Sequence, residues 1–284
     1  RESLPRRTLG FLLQRPDSFY RQLATDLTIA VQASTAIQGR SMIEFNDDLE
    51  PAAIARCLID IGARVDAVAV VALEHPQVNE AIANLRANGL PVFTLLSDVT
   101  APERSGHIGV DPRKAGRSAA WTITRCSHHA GPVGILIGSH KYLGQALAEI
   151  SFRSYLRELA PQFVPLEPLV NFDDPRVAFE ATIGILDGHP DLAALYNAGG
   201  GMAGMIDAIR LRGAGDRVAA VCNELIPETR AALIDGSIDL VLATPTKRIA
   251  EIAVDAMVSE LTAAGTSGPR HLTVAADLMT PENI

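Results

Sequence analysis

The sequence predicts an α/β protein whose parallel sheets are covered by helices and divided between two lobes. Short, continuous apolar runs alternate with longer stretches of helical spacing, the pattern of buried parallel strands and the helices that cover them. These runs are too numerous for one comfortable doubly wound sheet. Two polar, proline-bearing stretches also break the alternation in mid-chain, which implies lobes that are discontinuous in sequence.

In chain order the candidate strands are RTLGFLL, GRSMIEFN, DAVAVVA and PVFTLL, then GPVGILIG, FVPLEPLV, LAALYN, RVAAVC, IDLVLA and HLTVAA. PAAIARCLIDIGA shows the helical rhythm between them: Ala53, Ile54, Cys57, Leu58 and Ile61 recur on one helix face. Gly62, Gly89, Gly188 and Gly236 sit where helical runs stop, and Asp111-Pro112, Asp174-Pro175 and Ile226-Pro227 sit where they start. The acidic pairs Asp47-Asp48 and Asp173-Asp174 read as helix caps. The polar stretch RCSHHAGP, Arg125 to Pro132, is the expected first crossing between lobes, and LATPTK near Pro245 the second. The expected division is a linker remnant at residues 1–6, an N-terminal lobe from 7–128 and 245–269, and a C-terminal lobe from 129–244 and 270–284.

With 284 residues the chain can bury two ordinary cores. Charged residues are 20% and hydrophobic residues 48%, a globular profile. A formal charge of −8 argues against a broad grip on a phosphate backbone, so any nucleic-acid contact would need a separate basic module. Cys57, Cys126 and Cys222 are odd in number and widely spaced; they read as reduced packing residues of a cytosolic protein. No run approaches the roughly 20 apolar residues of a membrane span. RESLPRRTLG does not read as a signal peptide, and a start at Arg1 suggests that a segment was removed upstream.

The stretch LYNAGGGMAGMIDAIRLRGAG sets Gly199, Gly201 and Gly204 in the G-x-G-x-x-G spacing of dinucleotide-binding loops, with Glu224 placed to take a ribose. Position disfavours that reading. The motif lies in a late βα unit, with too little chain beyond it for a second mononucleotide half and a catalytic domain. Glycines between strand and helix also suit any ligand that approaches backbone N–H groups in the crevice at the strands' carboxyl ends.

HPDLAALYNAGGGMAGMIDAIR and VAAVCNELIPETRAALIDGSIDLVLATP resemble the effector domains of lactose-repressor (LacI) family transcription regulators, whose fold is shared by periplasmic sugar-binding proteins. RTLGFLLQRPDSFYRQLATDLTIAV, NGLPVFTLLSDV and HIGVDPRKAGRSAAWTI extend the likeness over nearly the whole chain. The resemblance implies two Rossmann-like lobes of the type I periplasmic-binding-protein kind, joined by three crossing strands, with a sugar or polyol clamped between them. It implies a cytoplasmic, homodimeric regulator whose small effector acts allosterically, and whose operator DNA is met through a helix-turn-helix head absent from this chain. A periplasmic sugar-binding protein feeding an ABC transporter is the alternative.

Carried over by position, the first ligand loop is Asp17, Ser18, Phe19 and Tyr20, whose rings would stack on a sugar face or staple the helix start. Ser97 and Asp98 match a second contact loop, where Asp98 could accept from hydroxyls or cap a turn. Asn197 with the Gly199, Gly200 and Gly201 backbone, Glu224 as hydroxyl acceptor, and Thr244 complete the expected set. One departure stands out. Where the family carries a sugar-binding Arg the chain has Ala148, so either the ligand is not a simple pentose or hexose, or Lys141, His140 or Arg153 substitutes.

No enzyme is expected. Ser139 beside His140 lacks the G-x-S-x-G elbow of a nucleophile, and neighbouring strand-end residues point apart. His128, His129 and His140 lack a metal-ligand spacing, so neither metal nor cofactor is expected.

Overall fold

A computed structural model describes residues 4–262 and 268–284; Arg1 to Ser3 of the expected linker remnant, and residues 263–267 ahead of the expected third crossing, lie outside the described residues. The chain runs β1 (Arg6–Leu13), α1 (Ser18–Ala33), β2 (Gln38–Phe45), α2 (Pro51–Gly62), β3 (Ala67–Val70), α3 (Pro76–Ala87), β4 (Val92–Leu95) and β5 (Gly106–Val110). It continues α4 (Pro112–Cys126), β6 (Pro132–Ile137), α5 (Leu143–Leu159), β7 (Val164–Pro165), β8 (Leu169–Val170) and α6 (Pro175–Gly188). Then come β9 (Ala194–Asn197), α7 (Met202–Leu211), β10 (Ala219–Asn223), α8 (Pro227–Asp235) and β11 (Leu240–Ala243). The last elements are α9 (Thr246–Thr262), β12 (Arg270–Val274) and β13 (Asp277–Met279).

Two α/β units result. The first takes the residues up to Gly109 with Pro245–Val274; the second takes Val110–Thr244 with Ala275–Ile284. The first unit's sheet has the order β12-β5-β4-β3-β1-β2, and β1 lies parallel to both β2 and β3. Its interior strands β3 and β4 are wholly buried, as four-residue runs of Val, Ala, Leu, Phe and Thr covered on both faces should be. Leu23, Leu27 and Val31 line the buried side of α1, which packs with α9; the Thr246 hydroxyl ties the two by donating to Asp26 at 2.7 Å.

The second unit's sheet has the order β13-β11-β10-β9-β6-β7, with β8 paired to β6. One face buries Ile135 and Tyr196 against Phe152, the last two rings stacked 4.6 Å apart. The other face buries Leu195, Met205 and Ile206.

The first passage between units comes earlier than the expected RCSHHAGP stretch. Ala119, Ala120 and Ile123 on α4 share a core with Val133, Ile135 and Phe152, so this helix packs on the second unit. An amphipathic helix shows which of its faces is buried, but not which sheet buries it. Two strands escaped the pattern. GHIGV (β5) carries a polar His between its glycines, and the three-residue DLM (β13) is too short for any period, although it pairs antiparallel with β11. FVPLEPLV forms two short strands rather than one. Asp111 and Asp174 do cap their Pro-led helices, accepting from Arg113 N–H at 3.0 Å and Arg176 N–H at 2.7 Å. Cys126 is exposed rather than packed, while Cys222 is buried.

Candidate functional site

In open α/β sheets, ligands are held at the carboxyl ends of the strands. In the second unit that rim runs from the segment after β8, over the end of β6, through the glycine turn after β9, to the ends of β10 and β11.

The glycine turn closes on itself. Asn197, fully buried at the end of β9, accepts from Gly199 N–H at 3.0 Å through Oδ1 and donates to the Gly200 carbonyl at 3.0 Å through Nδ2. Asn171 donates to the same carbonyl at 2.9 Å, and Gly200 N–H donates to the Asp173 carboxylate. A helix N-terminus attracts an anion; here the protein supplies its own, Asp173, ahead of α7. That leaves no seat for a pyrophosphate. It also corrects the expectation that Gly199 and Gly200 offer N–H groups to a guest, because internal side chains consume both. The spacing of the glycines has packing causes instead. A Cβ on Gly199 would lie 2.3 Å from Gly138 N, one on Gly204 would lie 1.7 Å from the Pro175 carbonyl oxygen, and Gly201 starts α7 at φ +75°.

Glu224 and Thr244 are brought together, as partners of each other. The Glu224 carboxylate accepts from Thr244 N–H at 3.0 Å and from its hydroxyl at 2.7 Å, a clasp between the ends of β10 and β11. Glu224 sits at φ +63°, fixed by its N–H donating to the Leu242 carbonyl and by the Thr229 hydroxyl donating to its own carbonyl.

The expected substitutes for the sugar-binding Arg do not converge. Ala148 lies in the core with Phe152. Arg153 is held by Glu149 and by the Leu166 carbonyl. His140 and Lys141 are exposed in the turn after β6, where Lys141 N–H donates to Ser139 Oγ at 3.2 Å.

Two rim residues escaped the sequence reading. Asn223, at the end of β10, donates through Nδ2 to the Ala198 carbonyl at 2.8 Å, while its Oδ1 is buried without a hydrogen-bond partner. Such an atom costs about 1–3 kcal/mol unless something satisfies it. Phe172 follows β8 in the left-handed region at φ 55°, and the residue is 63% exposed. Its N–H donates to the Gly138 carbonyl, which places it over the end of β6. A bulky residue in that backbone region, exposing its ring, is strain held in place by its surroundings. The signals were slight: Asn223 adjoins the more conspicuous Glu224, and Phe172 is masked by the Asp174-Pro175 cap.

In the first unit, Asp17 is the α1 N-cap, accepting from Tyr20 N–H at 2.9 Å, with Phe19 and Tyr20 edge-to-face at 5.1 Å. Both rings are half-buried at the end of β1. Ser97 is buried in the turn after β4. Asp98 is fully occupied. Arg104 forks onto it at 2.8 and 2.9 Å, the Thr94 hydroxyl and Val99 N–H donate to Oδ1 at 2.8 and 2.9 Å, and His271 Nε2 meets Oδ2 at 2.8 Å. A carboxylate offers about four acceptor sites, so Asp98 has no capacity for sugar hydroxyls, and this corrects that reading. Burial alone would raise its pKa; the Arg104 bonds and the His107 charge outweigh burial and hold it below the usual range. His107 is itself 3% exposed, and burial pushes its imidazole down to about 4, with His271 and Arg104 adding and Asp98 opposing.

The family model for the periplasmic binding protein domain matches residues 20–265. Similar solved structures include a solute-binding protein of an ABC transporter from Agrobacterium vitis bound with α-D-tagatopyranose (19% identity, 97% of this chain and 95% of that one, TM-score 0.88). Another is GanP, a glucose-galactose binding protein from Geobacillus stearothermophilus (19% identity, 100% and 99% covered, TM-score 0.85). A third is an ABC transporter periplasmic solute-binding protein from Actinobacillus succinogenes with bound D-allose (16% identity, 98% of each chain, TM-score 0.86). The comparison with curated proteins found no match.

These findings overturn the reading as a LacI-family transcription regulator. The matching family is described by periplasmic binding, and the similar structures are a sugar-binding protein and two solute-binding proteins of ABC transporters. The expectations of operator DNA as a partner and of a cytoplasmic location fall with it. Family and similar structures alike are binding proteins rather than enzymes.

Proposed function

This chain belongs to the periplasmic binding protein domain family, and from that premise we propose that it captures a monosaccharide outside the cytoplasm for an ABC transporter. The observation that carries the proposal is the pairing, on one rim, of an exposed strained ring and an orphaned amide oxygen. Phe172 offers an apolar face to the C–H side of a pyranose, and Asn223 Oδ1 offers an acceptor to a hydroxyl. Ligands of this class satisfy both demands at once, being flat and apolar on one side and hydroxylated at the edge. In the first unit, Phe19 and Tyr20 in the first turn of α1 form an aromatic pair suited to the same class of ligand. Solved structures of the same fold carry D-tagatose, D-arabinose, D-fucose and D-allose, which supports the ligand class.

Neither Glu224 nor Thr244 is assigned a hydroxyl; together they tie the end of β10 to the end of β11 beside Asn223. The four sugars just named form the test panel. Calorimetry and thermal shift should give saturable binding of at least one, with a raised melting temperature. A null result across a wider panel of pentoses and hexoses, or tighter binding of an amino acid or nucleotide, would overturn the ligand class.

A further inference from the structure

The first unit ends on an unusual edge. β2 is eight residues long and pairs with β1 along its full length, yet none of its residues is buried. Edge strands are usually short, or blunted by charged residues, Pro or a bulge; QGRSMIEF has no Pro, its register with β1 is unbroken, and its two charges, Arg40 and Glu44, are of opposite sign. Gln38 N–H donates to the Pro5 carbonyl and Asn46 N–H to the Leu13 carbonyl, so the even-numbered residues face β1 in the ladder. By alternation Gly39, Ser41, Ile43 and Phe45 direct their N–H and C=O groups away from the sheet.

We propose that β2 pairs antiparallel with β2 of a second copy of this chain, about a two-fold axis through Met42. The sequence of the strand is self-complementary in this register. Gly39 pairs with the partner's Phe45 and Ser41 with the partner's Ile43, each pair exchanging two backbone hydrogen bonds, so every outward donor and acceptor in the strand is satisfied. Exposed Phe45 stands across from the partner's Gly39, whose own face is filled by Val31 of α1.

The other face carries the charges. Ser41 Oγ donates to Thr28 on α1, and Glu44 bonds Arg64 beside α2, so odd and even side chains lie on opposite faces. On the even face, exposed Arg40 stands opposite the partner's Glu44, and Glu44 opposite the partner's Arg40, in the closer, non-hydrogen-bonded pairs. Oε1 of Glu44 takes Arg64, which leaves Oε2 as the acceptor for the partner's Arg40 in this register. Met42 meets its own copy on the axis. Charge complementarity and a full row of outward hydrogen-bonding groups thus coincide in one register. The interface lies wholly on the first unit and is independent of the sugar assignment.

Sedimentation velocity over about a hundredfold concentration range tests it. The wild-type chain dimerises. Arg40→Glu places Glu against Glu44 twice, and Glu44→Arg places Arg against Arg40 twice; each weakens the dimer by about tenfold or more. An equimolar mixture of the two restores it, because the mixed pair regains both oppositely charged contacts. Ser41→Pro deletes an outward N–H while sparing the β1 ladder, and gives a folded monomer by circular dichroism. A wild-type chain that stays monomeric at every concentration, single variants that dimerise like wild type, or a mixture that fails to recover would each overturn the proposal.

Discussion

The turn after β4 and the segment at the end of β10 both end a parallel strand in polar residues, and they spend those residues differently. Asp98 exhausts its acceptors on Arg104, Thr94, Val99 and His271. Asn223 satisfies its donor on Ala198 and leaves its oxygen buried and unpaired. A polar group marks a binding site by the capacity its own protein leaves unused, which residue type alone does not reveal.

Breaking the occupied side of this comparison gives the largest expected effects. Asp98→Ala strands the largely covered Arg104 and should cost about 3 kcal/mol of unfolding free energy in urea melts. Sugar affinity of the folded fraction should be unchanged.

The same cluster sets an acid limit. His107 ionises near 4 when folded and near its ordinary value when unfolded, so between those values the unfolded chain binds the extra proton. Stability is therefore full above about pH 6.5 and falls by about 3 kcal/mol as pH drops towards 4. His107→Gln should flatten that part of the stability–pH curve. Asp98, held low, contributes stability that is lost only at still lower pH.

Asp173→Ala sharpens the contrast within the second unit. It removes the internal anion from the glycine turn, leaves Gly200 N–H without its acceptor, and should cost about 1–3 kcal/mol by chemical denaturation. Asp173→Asn retains an acceptor and should recover part of the loss. The smallest effect on stability belongs to the exposed ring: Phe172→Ala should leave the melt within about 0.5 kcal/mol of wild type. It should nevertheless weaken sugar binding by about 0.5–1.5 kcal/mol in calorimetry.

The α/β class and two-unit plan were legible because continuous apolar runs and proline-led caps are local signals. The side on which α4 packs was not, since Ala119, Ala120 and Ile123 would suit either sheet. Among site residues, sequence resemblance led to the rims, but it chose Glu224 and the Gly199–Gly200 amides, which the fold consumes internally. Whether a carboxylate is already clasped depends on Thr244, twenty residues away in the chain and adjacent only across the sheet. Phe172 was hidden for a related reason. In VNFDDP nothing local shows that Asn171 and Asp173 turn inward to the glycines and leave the intervening ring exposed.

The most direct test is titration calorimetry of one sugar, the tightest binder from the panel, against wild type, Asn223→Ala and Asp98→Ala. The account predicts a loss of about 1–3 kcal/mol of binding free energy for Asn223→Ala and none for the folded Asp98→Ala protein. Wild-type affinity in Asn223→Ala together with lost binding in Asp98→Ala would contradict it.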